Sequence, residues 1–182
     1  MNSKVEMYEA EEGAEIYIGS DMPDIVDLVT ANLMSVRPVR LVGYGEAARL
    51  CYTRGRIVVV GKSPTKLMNL AAFRFLAYPA WVRAHYIRYI GKSQNFPYVF
   101  NGINQTFVNL KCRCHAGKNQ GAVGYFALDC LSKLTPAANG QTHIQLTNRI
   151  SEIVPMSVQS VLVRRNDAYA FVAQLQKASV KP

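Results

Sequence analysis

The four residues from Ile57 to Val60 read IVVV. Branching at Cβ restricts these side chains in a helix and suits them to a pleated sheet, so the run is a buried strand. Directly behind it, PTKLMNLAAFRFL sets apolar residues at helical spacing, and Tyr78-Pro79 stops the helix. A buried strand feeding a helix commits the chain to a sheet covered by helices, an α+β or α/β fold.

The same reading extends to both sides. EIYIG (15–19) alternates as a strand, Ser20 or Asp21 can cap, and Pro23 fits a first helical turn. Ile25, Val26, Leu28, Val29, Leu33 and Met34 then make a helical stripe. RPVRLVG is a strand and GEAARLCY opens as a helix. Beyond Tyr78 the pattern restarts: HYIRYIG is a strand, NFPYVFNGINQTF a helix, NLKCRCHAG a strand. GAVGYFALDCLSKL is a helix, with Ala122, Val123, Phe126, Ala127, Cys130, Leu131 and Leu134 at helical spacing. TPAANGQ is a loop, THIQLTNRISEIV and SVQSVLVRR are strands, and DAYAFVAQLQKA is a closing helix capped by Asn166 or Asp167. Gly19 precedes Gly43 by 24 residues and Gly91 precedes Gly117 by 26. The order of parts between them reads as an internal duplication of a β-α-β-α unit. It divides the chain into an acidic leader (1–13), a first unit with a connecting helix (14–83) and a second unit with a C-terminal helix (84–182).

Charge sharpens the reading. Residues 1–30 carry eight of the twelve carboxylates and one lysine, which leaves 20 Lys and Arg against 4 Asp and Glu over residues 31–182. Such a field draws polyanions, and nucleic acid is the commonest polyanionic partner. The acidic N-terminus is unlike a secretory signal or an Arg-rich presequence, and no apolar run approaches the ~18 residues of a membrane span. The expectation is a cytoplasmic or nuclear protein with no membrane partner. An organellar ribonucleoprotein fits as well if a presequence has been removed.

Two Gly-Lys-Ser strings, VVVGKSPTK and RYIGKSQNFP, suggest a phosphate cradle. A Walker loop needs a glycine five residues earlier, where Arg56 and Tyr86 stand instead. VGYGEAA has Ala48 at the third Rossmann position, and no carboxylate follows at the required distance. Beyond residue 30 the carboxylates are Glu46, Asp129, Glu152 and Asp167, so paired-carboxylate catalysis has little to draw on. Cys51, Cys112, Cys114 and Cys130 form no C-x-x-C pair, and His85 and His143 are isolated. The expectation is a protein that is not an enzyme and holds no metal or cofactor. Alternation along NLKCRCHAG puts Lys111, Arg113 and His115 on one basic face. At the second Gly-Lys-Ser, Gly91 allows a close turn, Lys92 supplies an ammonium, and Ser93 can bond a phosphate oxygen, with Asn95 and Phe96 adjacent.

YIGKSQNFPYVFNGINQTF, LKCRCHAGKNQGAVGYFALDCLSKL, IYIGSDMPDIVDLVTANLM and VRLVGYGEAARLC together resemble Alba-superfamily domains, small β-α-β-α-β-β nucleic-acid binders. The likeness covers about two thirds of the chain as pattern. It implies two tandem Alba-like units packed as a pseudo-dimer, with Lys92 as the backbone-contacting lysine where the first unit has Ser20 and Asp21. It further implies a Gly-rich entry at Gly117, Lys118 and Gly121, and at Gly43 and Gly45 in the first unit. A hairpin tip would fall at Asn148 and Arg149, and a basic strand end at Arg164-Arg165. The first unit departs from the pattern at Gly55 and Ile57–Val60, and the chain has no RGG tail.

The functional expectation is a non-catalytic RNA-binding protein, with DNA as the other nucleic acid. Its surface comprises Lys92, Ser93, Asn95, Lys111, Arg113 and Lys118, extended by Arg54, Arg56, Lys62, Arg149 and Arg164. A structural subunit of a ribonucleoprotein with protein partners, a homodimer, and a small nucleotide-binding enzyme using the GKS loops stay open beside it.

Overall fold

The computed structural model describes residues 13–113 and 123–179. A seven-stranded mixed sheet runs in the order β1 (Glu15–Tyr17), β4 (Ile57–Val60), β3 (Gly45–Tyr52), β2 (Leu33–Leu41), β7 (Val123–Ala127), β6 (Gln105–Lys111), β5 (Tyr98–Phe100). Only β1 and β4 pair in parallel; the other described neighbours are antiparallel. A three-stranded sheet holds β8 (Leu131–Pro136), β9 (Thr142–Leu146) and β10 (Ser151–Val154). The helices are α1 (Ile25–Leu28), α2 (Pro64–Arg74), α3 (Pro79–Ile90) and α4 (Val158–Ser179). The class is α+β.

Side-chain alternation decides what covers each face. Ala48, Leu50 and Tyr52 of β3, with Val36, Val58, Val60 and Tyr125, join the core beneath α2, where Thr65 bonds the Tyr125 hydroxyl and Asn69 that of Tyr98. On the opposite face Arg37 and Arg49 reach Glu152 of β10, and α4 packs along β6. α3 lies against α4 through Tyr86 and Phe171, whose rings meet edge-on at 5.3 Å.

Several expected elements take the other form, each for a physical reason. GEAARLCY is β3, returning antiparallel from β2 through a turn with Gly43 and Gly45 at positive φ. GAVGYFALDCLSKL supplies β7 and β8 from Val123 onward; β7, buried on both faces, loses its alternation and mimics a helical stripe. HYIRYIG ends α3, where Pro79 starts the helix and Val82 and Tyr86 make its buried stripe. NFPYVFNGINQTF is the β5–β6 hairpin, turned at Asn101-Gly102 with Asn104 left-handed at φ 49°. VQSVLVRR belongs to α4, which Ser157 precedes, its Oγ accepting from the Ser160 N–H; Asn166 and Asp167 are mid-helix. The stripe at 25–34 yields only one helical turn, α1, and Leu33 and Met34 already belong to β2.

Among the described residues neither half shows a β-α-β-α order. The first runs strand, one helical turn, three strands, α2 and the start of α3; the second continues from α3 through six strands to α4. The division at 83/84 falls within α3, and β2 pairs with β7, so strands from both halves share one sheet.

Candidate nucleic-acid interface

Cross-strand register gathers cations at one end of the large sheet. Tyr17, Val60, Ala48 and Pro38 form a row, and the Val36–Tyr125 pair brings Val123 and its partner Lys111 level with it. Just beyond that row the strands deliver Lys62 from β4, Arg40 from β2 and Arg113 from β6. α2 begins here as well, with Ser63 as its cap, Pro64 at its first position and Lys66 in its first turn. Lys66 and Lys111 are exposed; Arg40, Lys62 and Arg113 are half-buried. Burial holds the Arg113 guanidinium below its ordinary pKa; Glu46 opposes that shift, and the charges of Arg37 and Arg40 reinforce it. Tyr44 is exposed in the β2–β3 turn and donates to the Gly61 carbonyl at 3.3 Å. A Cβ at Gly61 would stand 2.6 Å from the Tyr44 ring, so glycine is what lets the aromatic lie over the Gly-Lys-Ser loop.

The two Gly-Lys-Ser strings sit in opposite settings. Gly61-Lys62-Ser63 leads from a strand into the N-terminus of α2, whose unpaired N–H groups and dipole favour an anion. No acidic residue occupies the first turn of α2 to satisfy that preference. Gly91-Lys92-Ser93 follows a helix instead: Gly91 is the left-handed cap of α3 at φ 77°, and the chain proceeds to β5. The strand-to-helix junction expected around Lys92 is thus a helix C-terminus, the negative end of the dipole. Lys92 ion-pairs with Asp167, and the Ser93 carbonyl accepts from Arg83 Nε at 3.2 Å. Asn95 is exposed in a left-handed turn at φ 59°.

The remaining expected residues disperse. Arg54 and Arg56 lie at the opposite end of the sheet, in and after the β3–β4 turn, with Arg149 nearby at the β9–β10 turn, where Asn148 bonds the Tyr52 carbonyl at 3.1 Å. Arg56 is clamped by both oxygens of Glu15 at 2.7 and 2.8 Å, and its guanidinium lies 5.2 Å from the Tyr52 ring centre. Arg164 donates to the Asn109 carbonyl at 2.7 Å, a structural contact between α4 and β6. Lys118, Gly117, Gly121, Cys114 and His115 lie outside the described residues. Of the expected set, Lys62, Lys111 and Arg113 lie at one end of the sheet, on strands separated by β3, β2 and β7. Arg40, Lys66 and Tyr44 join them unanticipated, although Lys66, in the first turn behind Ser63-Pro64, was legible as a helix-start cation.

Among the described residues no group of three or more His, Cys, Asp or Glu is placed to hold a metal ion, and no helix is long and apolar enough to cross a membrane. Comparison with family models, curated proteins and solved structures returned no significant match to the chain.

Proposed function

We propose that this end of the sheet binds the sugar-phosphate backbone of a nucleic acid, RNA or DNA, without catalysing a reaction on it. The observation that carries the reading is the row of Lys62, Arg40, Lys111 and Arg113 along one end of the sheet, from β4 to β6, together with Lys66 in the first turn of α2, whose N-terminus carries no acidic residue. Glu46, cross-strand from Arg40, opposes these cations, and they outnumber it: between Glu46 and Asp129 the sequence has no other carboxylate. Phosphate oxygens supply the missing negative charge, and Tyr44 offers a face on which an unpaired base stacks. An Alba-like pseudo-dimer calls for strand, helix, strand, helix in each half, and the elements are ordered otherwise. The reading therefore rests on charge and geometry.

The test is fluorescence anisotropy with labelled single-stranded RNA, single-stranded DNA and duplex DNA over a salt series. The logarithm of affinity should fall with the logarithm of salt by roughly 0.7 to 0.9 per neutralised phosphate. Lys62→Ala and Lys66→Ala should each flatten that slope by about one, while Lys92→Ala leaves it unchanged. Absence of binding, or binding indifferent to salt, sinks the proposal; saturable ATP or GTP binding lost in Lys62→Ala replaces it with a nucleotide site.

A further inference from the structure

A helix on a protein surface ordinarily turns polar residues outward. α3 does not. Its buried stripe is Val82 and Tyr86, yet its outward positions hold Ala80, Trp81, Ala84 and Ile87, broken only by Arg83 and Arg88. Trp81 is 51% exposed and Ile87 44%. In the α2–α3 connection that leads into this helix, Leu76 is 71% exposed and Tyr78 is 53% exposed. Trp81 stacks on His85 at 4.0 Å between ring centres, which fixes the indole at the surface. Leu76 holds the left-handed position that closes α2 at φ 53°, with the Ala77 N–H reaching back to the Ala72 carbonyl at 2.8 Å. That position favours glycine, so a large apolar residue is kept there, in solvent, against the backbone preference.

Aromatic residues and arginine enriched, lysine and carboxylates depleted, is the composition of an interface centre. Residues 64–90 contain no carboxylate, and the nearby Asp24 is spent on Arg74 at 2.7 Å. A second copy presenting the same face would set arginine against arginine. We infer that the outward face of α3 is a docking surface for an acidic amphipathic segment of another protein. Trp81 and Ile87 take its apolar side chains and Arg83 and Arg88 its carboxylates. This surface is separate from the basic end of the sheet, and its failure leaves the nucleic-acid reading standing.

Trp81 is the sole tryptophan, so its emission reports the patch directly. The probe is a synthetic amphipathic helix with Leu and Phe on one face and Glu on the other, titrated into the full chain beside a counterpart with Lys in place of Glu. The expected result is a saturable blue shift of Trp81 emission with the acidic peptide and none with the basic one. Ile87→Ser and Arg88→Glu should each weaken binding by about tenfold, with the melting temperature and the affinity for nucleic acid unchanged. No shift, or an equal response to the basic peptide, overturns the inference. So does a blue shift of the protein alone that grows with its concentration and with dimer mass, which makes the occupant a second copy. A red shift on replacing Glu6, Glu9, Glu11 and Glu12 by Gln assigns the face to the chain's own acidic segment, and quenching by single-stranded RNA lost in Ile87→Ser assigns it to nucleic acid; either overturns it too.

Discussion

Arg37 and Arg49 stand directly opposite each other on β2 and β3, and both donate to one carboxylate, that of Glu152 on β10. Glu152 is only 4% exposed, and its Oε1 lies 3.1 Å from Arg49. Burial works against the Arg37 charge, and Glu152 and Cys112 outweigh it, so its pKa is raised. The triad fastens the small sheet to the large one. Removing the shared carboxylate strands two guanidinium groups in the interior, so Glu152→Ala should lower stability by about 3 to 5 kcal/mol in urea unfolding. Replacing all three residues by apolar ones of similar volume should restore most of that loss.

Glu15 and Arg56 make a more exposed bidentate pair. The Arg56 guanidinium holds the Glu15 carboxyl down to about 2 from an ordinary value of 4.5, with the Tyr17 hydroxyl adding to the effect. Because the folded value is the lower one, the pair's contribution is complete above pH 4.5 and is lost as pH falls toward 2. Glu15→Gln should therefore reduce the fall of the melting temperature between pH 4.5 and 2. The pair is solvent-exposed and screened, so the effect at neutral pH should be small and should shrink further in high salt. An unchanged acid limb in the variant removes the pair from the acid response.

Gly124 on β7 has no room for a side chain. An added Cβ would lie 2.6 Å from Cys112 Sγ and 3.0 Å from the Val36 carbonyl oxygen. Gly124→Ala should cost about 1 to 3 kcal/mol through overpacking. Adding Cys112→Ala should recover part of that cost, and the double-mutant cycle should show clear coupling. Full additivity would place the strain on the Val36 backbone alone.

Leu76 offers the opposite sign. Glycine at φ 53° avoids the left-handed penalty, and the side chain lost is largely in water. Leu76→Gly should raise stability by about 1 kcal/mol in thermal or urea unfolding. A loss of stability instead would mean that Leu76 packs in the isolated chain.

What could be read from the residues alone followed local chemistry. Ile57–Val60 is a strand and the helix behind Ser63-Pro64 is α2, because β-branching, capping and helical spacing act within a few residues. The errors cluster where tertiary burial overrides local pattern. Tyr125, Phe126 and Ala127 are buried on both faces of β7, so no alternation survives to mark a strand. Tyr86 to Ile90 alternates for a few residues, yet Val82 and Tyr86, one helical turn apart, make the buried face. For the proposed site, Lys62, Lys111 and Arg113 could be named from charge and spacing. Their alignment with Arg40 at one end of the sheet depends on β6, β7, β2, β3 and β4 lying in that order, a long-range fact no local motif encodes. The first Gly-Lys-Ser, rather than the second, proved to be the strand-to-helix junction.

The main-chain seam between the two halves of the large sheet is short. Among the described residues β2 and β7 are joined by two pairs, Ser35 with Phe126 and Val36 with Tyr125, whereas β2 and β3 pair along most of their length. The strands on one side come from residues 15–60 and those on the other from 98–127, so, β1 apart, each sub-sheet pairs strands adjacent in sequence before the distant edges must meet. Loop closure across some ninety residues is the costly step, and it follows that the sub-sheets assemble first and dock last. In hydrogen exchange, the amides of that seam should therefore open at lower free energy than those of the β2–β3 pair.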